Sequence, residues 1–139
     1  MPDPTTIAAR LPLRPAQLAA LAALGVAFWL AGALTCRVLG PMGVYEGLAR
    51  IVLYALVVPG TVPLILVARR AAKLEPDRIA LGVAVMTAVA TLLDGVALAW
   101  FPALYGADLP QVAGAGAVIL WGGGVGLALG CVMNRTTRS

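Results

Sequence analysis

Asp94 is a single carboxylate in the middle of an otherwise mostly apolar run, "VATLLDGVALAW" at 89–100. A carboxylate in such a place can bind a cation, carry a proton or pair with a guanidinium. At about 100° per residue, Thr87, Thr91, Asp94, Leu98 and Phe101 fall on one helix face. An aspartate facing lipid tails costs about 2.5–3.5 kcal/mol at a helix centre, so this face is expected to point into a bundle. The preceding run, "YEGLARIVLYALVVPGTVP", supplies Glu46 and Arg50 four residues apart, with Tyr54 and Thr61 continuing on roughly the same side. Arg50 comes out about 9 Å below the outer boundary and Asp94 about 10 to 15 Å below it, and Arg37 approaches from above. An outer-leaflet polar cluster of Arg37, Glu46, Arg50 and Asp94 follows, with Thr61 and Thr87 beneath it.

Two readings of that cluster stand side by side. In one, Arg50 and Asp94 form a buried pair that organises the bundle, because intramembrane charges usually pair. In the other, Asp94 lines a wet cavity and takes a proton or cation, as in a small coupled transporter, with "PGTVP" as its flexible element. Pro59 and Pro63 each remove a backbone donor, and a kink about midway along that helix is expected.

These residues need elements to hold them, and composition says which. The 139 residues are 61% hydrophobic and 12% charged, with a mean hydropathy of +0.95; soluble domains carry about 25% charged residues. Four apolar runs, 16–38, 44–68, 79–102 and 109–133, are each long enough to cross a hydrocarbon core. The expected architecture is an all-α transmembrane bundle of four helices, read as a single domain over 1–139. Pro15 opens the first helix, Asp77 is the expected N-cap of the third, and Asp108 with Pro110 starts the fourth. The first run is long for a signal peptide and is read as a retained span.

Lys and Arg set the orientation. Arg10, Arg14, Arg69, Arg70, Lys73, Arg78, Arg135 and Arg138 fall on one side, against Arg37 and Arg50 on the other. Both termini are therefore expected in the cytoplasm, in a bacterial inner membrane. Tyr45, Trp100, Phe101 and Tyr105 gather near the outer interface, where amphipathic rings are favoured. The net charge of +4 is not arranged as a nucleic-acid-binding stripe, and the lipid bilayer is the expected surrounding.

Gly122, Gly126 and Gly130 repeat every four residues along "WGGGVGLALG", a pattern that lets a second helix approach closely. Packing against the first helix of the same chain is favoured over a second copy, though a homo-oligomer or another membrane protein stays open. Trp29 and Trp121 read as core fillers beside these glycines rather than ligand platforms, with a place on a pocket wall open to either. Cys36 and Cys131 lie near opposite ends of the bundle, too far apart for a disulfide. With no His and no CxxC, zinc, haem and thiol-redox chemistry lack their usual residues, and no metal or cofactor is expected. No nucleophile motif or phosphate loop is present, so the chain is read as non-enzymatic.

"LLDG" at 92–95 followed by "WFPALYG" at 100–106 resembles an uncharacterised bacterial family of small four-helix membrane proteins. The similarity covers the second half, through Asp94, Phe101, Pro102 and Tyr105. It implies the four-helix arrangement and no activity. The small multidrug-resistance exporters differ, carrying their essential Glu in the first helix, where this chain has no acid.

Overall fold

The computed structural model describes residues 12–135. Four helices are present, α1 (Pro15–Leu39), α2 (Gly47–Ala71), α3 (Ile79–Trp100) and α4 (Leu109–Met133), with no strand among the described residues. Each is long and apolar enough to cross a membrane, with mean hydropathy between 1.8 and 2.4 in its most apolar stretch. Their outward surfaces are oily: Leu48 is 74% exposed, Leu92 72%, Leu109 79% and Val132 80%. Side chains of this size left open on every helix call for an apolar surrounding rather than water.

Sequence order is not spatial order. Around the bundle the helices run α1, α3, α4, α2; α2 meets α3 over a short stretch, and α1 barely touches α2. Close backbone approach fixes two of the seams. A methyl built at Gly25 of α1 would lie 2.9 Å from the Met86 carbonyl oxygen of α3, and one at Gly130 of α4 would lie 3.0 Å from Val83 Cβ of α3. Only the missing side chain allows such contact, which in lipid favours association through van der Waals packing.

The end carrying the α2–α3 loop is tied by polar groups reaching across the bundle. Gln17 accepts from the Arg14 backbone N–H through Oε1, and its Nε2 donates to the carbonyls of Ala72 and Lys73 at 3.2 Å each. Those carbonyls belong to the turn that ends α2. There Lys73 sits at φ 51°, and the N–H groups of Lys73 and Leu74 return to the carbonyls of Arg70 and Arg69. This double return is the usual left-handed helix stop, here built on Lys rather than Gly. Leu13, Leu21, Ala68, Ala72, Leu74 and Met86 pack around it, with Ile65, Ile79 and Val83 alongside.

Two helix starts compare differently with the sequence reading. Asp108 caps α4 as expected, accepting from the Gln111 N–H at 2.9 Å. Asp77 does not cap α3. It pairs with Arg78 at 3.5 Å, and the orphan N–H of Ala80 in the first turn donates instead to Asn134 Oδ1 at 3.0 Å. The end of α4 therefore caps the start of α3, a long-range substitution invisible to local spacing. Through "PGTVP", α2 continues as one helix with Pro59 and Pro63 inside it. Thr61 Oγ1 bonds back to the Val57 carbonyl at 2.6 Å within that stretch.

Candidate functional site

At the opposite end, the chain turns sharply after α3. Pro102 cannot extend the helix, and Pro102–Leu104 form a single 3₁₀ turn, with the Tyr105 N–H returning to the Pro102 carbonyl. That turn directs Tyr105 back under the end of α3, where it is completely buried among Ala33, Cys36, Ala97 and Ala115. Its hydroxyl donates to Asp94 Oδ1 at 2.5 Å and accepts from Trp29 Nε1 at 3.0 Å. Burial, and after it the bond to Asp94, push the Tyr105 hydroxyl above the ordinary tyrosine range. Tyr105 is thereby held as a neutral donor.

Asp94 is itself buried, at 9% exposure. Its Oδ1 holds the Tyr105 hydroxyl, and the Trp29 indole acts on the same carboxylate. The residue lies on the wall of a cavity of about 510 Å³ running between the helices, a size typical of small-molecule sites. Thr87 and Thr91 continue the same wall along α3, as their shared face requires, and Thr61 contributes from α2. Most of the remaining wall is apolar or aromatic, including Phe28 and Trp29 of α1.

At the Tyr105 end, Tyr45 crosses from the α1–α2 connection: its hydroxyl donates to the Cys36 carbonyl at 3.3 Å, and its ring lies against Gly114 of α4. At the other end, Ile65 and Val83 meet beside Ile79. The side between α1 and α2 is different. Gly32 and Gly60 line the cavity there, and a methyl added to either would meet no atom within 4 Å. The cavity therefore has open space on its α1–α2 side, toward the surroundings of the helices.

The expected Arg50–Asp94 pair is corrected by this geometry. Arg50 is exposed, and the ion pair found among the described residues is Arg78 with Asp77. Two physical causes combine. The connection after α1 runs on to Glu46, so α2 begins at Gly47 and Arg50 lies in its first turn, about 5 Å nearer the end than a start at Val44 would place it. In addition, α2 packs mainly on α4, leaving α1 and the Tyr105 turn beside Asp94. Arg37 and Glu46 are likewise exposed at that end. The structure brings together Asp94, Thr87, Thr91 and Thr61 from the expected cluster, and leaves Arg37, Glu46 and Arg50 outside it.

Tyr54 also stands apart, in a tilted stack with Trp121 at 5.4 Å between ring centres, while the Trp121 Nε1–H donates to the Tyr54 carbonyl. Trp121 is thus a surface clasp between α2 and α4, at 41% exposure, rather than a core filler. The glycine stripe of α4 faces α2 and α3 instead of α1. Methyls added at Gly122 and Gly126 would lie 3.9 Å from Val57 Cγ1 and 3.8 Å from Thr61 Cγ2, in ordinary contact, and Gly130 meets Val83. Both cysteines are free.

Sequence reasoning missed the two direct partners in this network, Tyr105 and Trp29. Tyr105 was legible only as an interfacial aromatic; the signal that could have found it is Pro102, which ends the helix and obliges the chain to double back. Among the described residues, no group of three His, Cys, Asp or Glu side chains could hold a metal ion. No protein-family model, curated protein or solved structure matches the chain.

Proposed function

We propose that this chain is a non-enzymatic multi-pass protein of a bacterial inner membrane that exchanges a proton for a cation at Asp94. The observation that carries this reading is the Asp94 carboxylate itself, a buried acidic side chain with no cationic partner among the described residues, on the wall of a cavity large enough for a small molecule. A carboxylate withdrawn from water needs either a proton or a positive partner. With Arg50 outside the cavity, that partner has to come from elsewhere. Tyr105 and Trp29 fix the orientation of the Asp94 carboxylate.

In the exchange, an arriving cation takes the place of the Asp94 proton, which leaves by water; on its return the proton releases the cation. Thr91 and Thr87 line the route from Asp94 toward the middle of α3. Both termini face the cytoplasm in this reading, supported by the basic residues gathered on their side.

The experiment is proton movement in proteoliposomes carrying an imposed pH gradient, followed with an internal pH dye. Sodium, potassium or an organic ammonium salt is added outside. Wild type is expected to move protons in response to at least one of these cations, and Asp94→Asn, which keeps an acceptor for Tyr105, to lose the response. A wild type silent to all three overturns the reading.

A further inference from the structure

The cavity has one formal charge, one open side and a mostly apolar wall, and these three properties together narrow what it can hold. An inorganic cation needs a shell of oxygens, about six to eight for calcium and close to six for magnesium. Here the wall offers Asp94 and scattered threonines, of which Thr35 and Thr61 already donate to carbonyls of their own helices at 2.7 and 2.6 Å. Such a wall cannot replace a hydration shell. It can replace the lipid around an apolar body, and Phe28, Trp29 and Tyr45 line it with aromatic rings, the side chains that attract an organic cation.

Access points the same way. Tyr45 lines the cavity toward one end of the bundle, and Ile65 with Val83 toward the other. The gap beside Gly32 and Gly60 opens where α1 and α2 barely meet, on surfaces that carry exposed Leu34, Leu56 and Leu64. What enters there comes from an apolar medium, so it has to partition into lipid first. A zwitterionic phospholipid fits less well, because its phosphate would follow the ammonium toward Asp94 and meet like charge.

We propose that the cavity takes an amphipathic organic ammonium ion, which enters sideways from the bilayer between α1 and α2 and sets its nitrogen against the Asp94 carboxylate. This rests on the reading of Asp94 as an exchange site and names the class of cation that it serves. The carboxylate supplies selection for charge, and the apolar wall supplies selection for a hydrocarbon body.

The test is equilibrium binding to the full chain in phosphatidylcholine nanodiscs, corrected with empty nanodiscs. Three radiolabelled probes separate the contributions: dodecyltrimethylammonium carries body and charge, dodecanol the body alone, and tetramethylammonium the charge alone. Dodecyltrimethylammonium is expected to bind at least about tenfold more tightly than either of the others, and Asp94→Asn to bring it within about threefold of dodecanol. Gly32→Trp, which fills the side opening without touching Asp94, should weaken both dodecyl probes. Equal binding of the ammonium and the alcohol overturns the inference, as does tetramethylammonium binding as tightly as the longer probe or an ammonium affinity unchanged by both variants. Proton movement driven by sodium or potassium, without selective ammonium binding, sinks the substrate class and leaves the exchange reading in place. Selective binding with no proton movement does the reverse.

Discussion

Tyr105 does two jobs with one hydroxyl, donating to Asp94 and accepting from Trp29, and no water is needed to complete either bond. Tyr105→Phe keeps the ring in its pocket but deprives a buried carboxylate oxygen and a part-buried indole N–H of their partner. Leaving such groups unsatisfied costs about 1–3 kcal/mol, which a thermal unfolding series in detergent would register as a lower midpoint than that of Asp94→Asn. A pH dependence follows as well. The folded hydroxyl titrates above the unfolded value of about 10, so its contribution is fully present below that pH and is lost as pH rises toward the folded value. Wild type should therefore lose stability above about pH 10 more steeply than Tyr105→Phe does; parallel slopes would show that Tyr105 is not held neutral. Asp94 and its threonines were legible in the sequence because helical periodicity puts them on one face. Tyr105 was not, since periodicity stops at Trp100 and the bond is made by a turn that reverses the chain.

Between helices, the decisive quantity is how near two backbones come. Gly130 has Val83 carbons at 3.0 to 3.3 Å from an added methyl, whereas Gly32 has none within 4 Å. Gly130→Leu should cost about 1–3 kcal/mol by overpacking the α3–α4 seam, while Gly32→Leu should stay within about 0.5 kcal/mol. Similar unfolding midpoints for the two variants would contradict the packing described. The four helices and the Asp108 cap were readable from apolar run length and local spacing. Which helix neighbours which was not, because the repeat at Gly122, Gly126 and Gly130 reports that something comes close without saying what. The same applies to the cap on α3, where Asn134 sits 54 residues from the N–H that it accepts.

At the scale of the whole molecule, polar ties gather at the two ends of the bundle and the cavity lies between them, with open space on its α1–α2 side. If the ends face opposite compartments as the basic residues indicate, cysteines placed in the loops should label from opposite sides. In a background of Cys36→Ser and Cys131→Ser, Ala107→Cys in intact spheroplasts should react with a membrane-impermeant maleimide, and Glu75→Cys only after permeabilisation. The opposite pattern would reverse the orientation without altering the fold. Charge counting makes this expectation possible, whereas the pairing of Arg50 with Asp94 rests on equal depth along two helices, which does not say that those helices lie side by side. The order α1, α3, α4, α2 breaks that pairing and opens the cavity to a partner from outside the chain.

Everything proposed for this chain turns on Asp94 presenting its carboxylate, without a cationic partner among the described residues, to a cavity reached from lipid. An apolar carbodiimide, dicyclohexylcarbodiimide, partitions into the bilayer and adds to protonated carboxyl groups; intact mass and peptide mapping then read the site. In nanodiscs, wild type should carry a single adduct at Asp94, formed at the same rate in Arg50→Leu and more slowly in Gly32→Trp. An unmodified Asp94, or one that becomes reactive only when Arg50 is removed, would contradict the account.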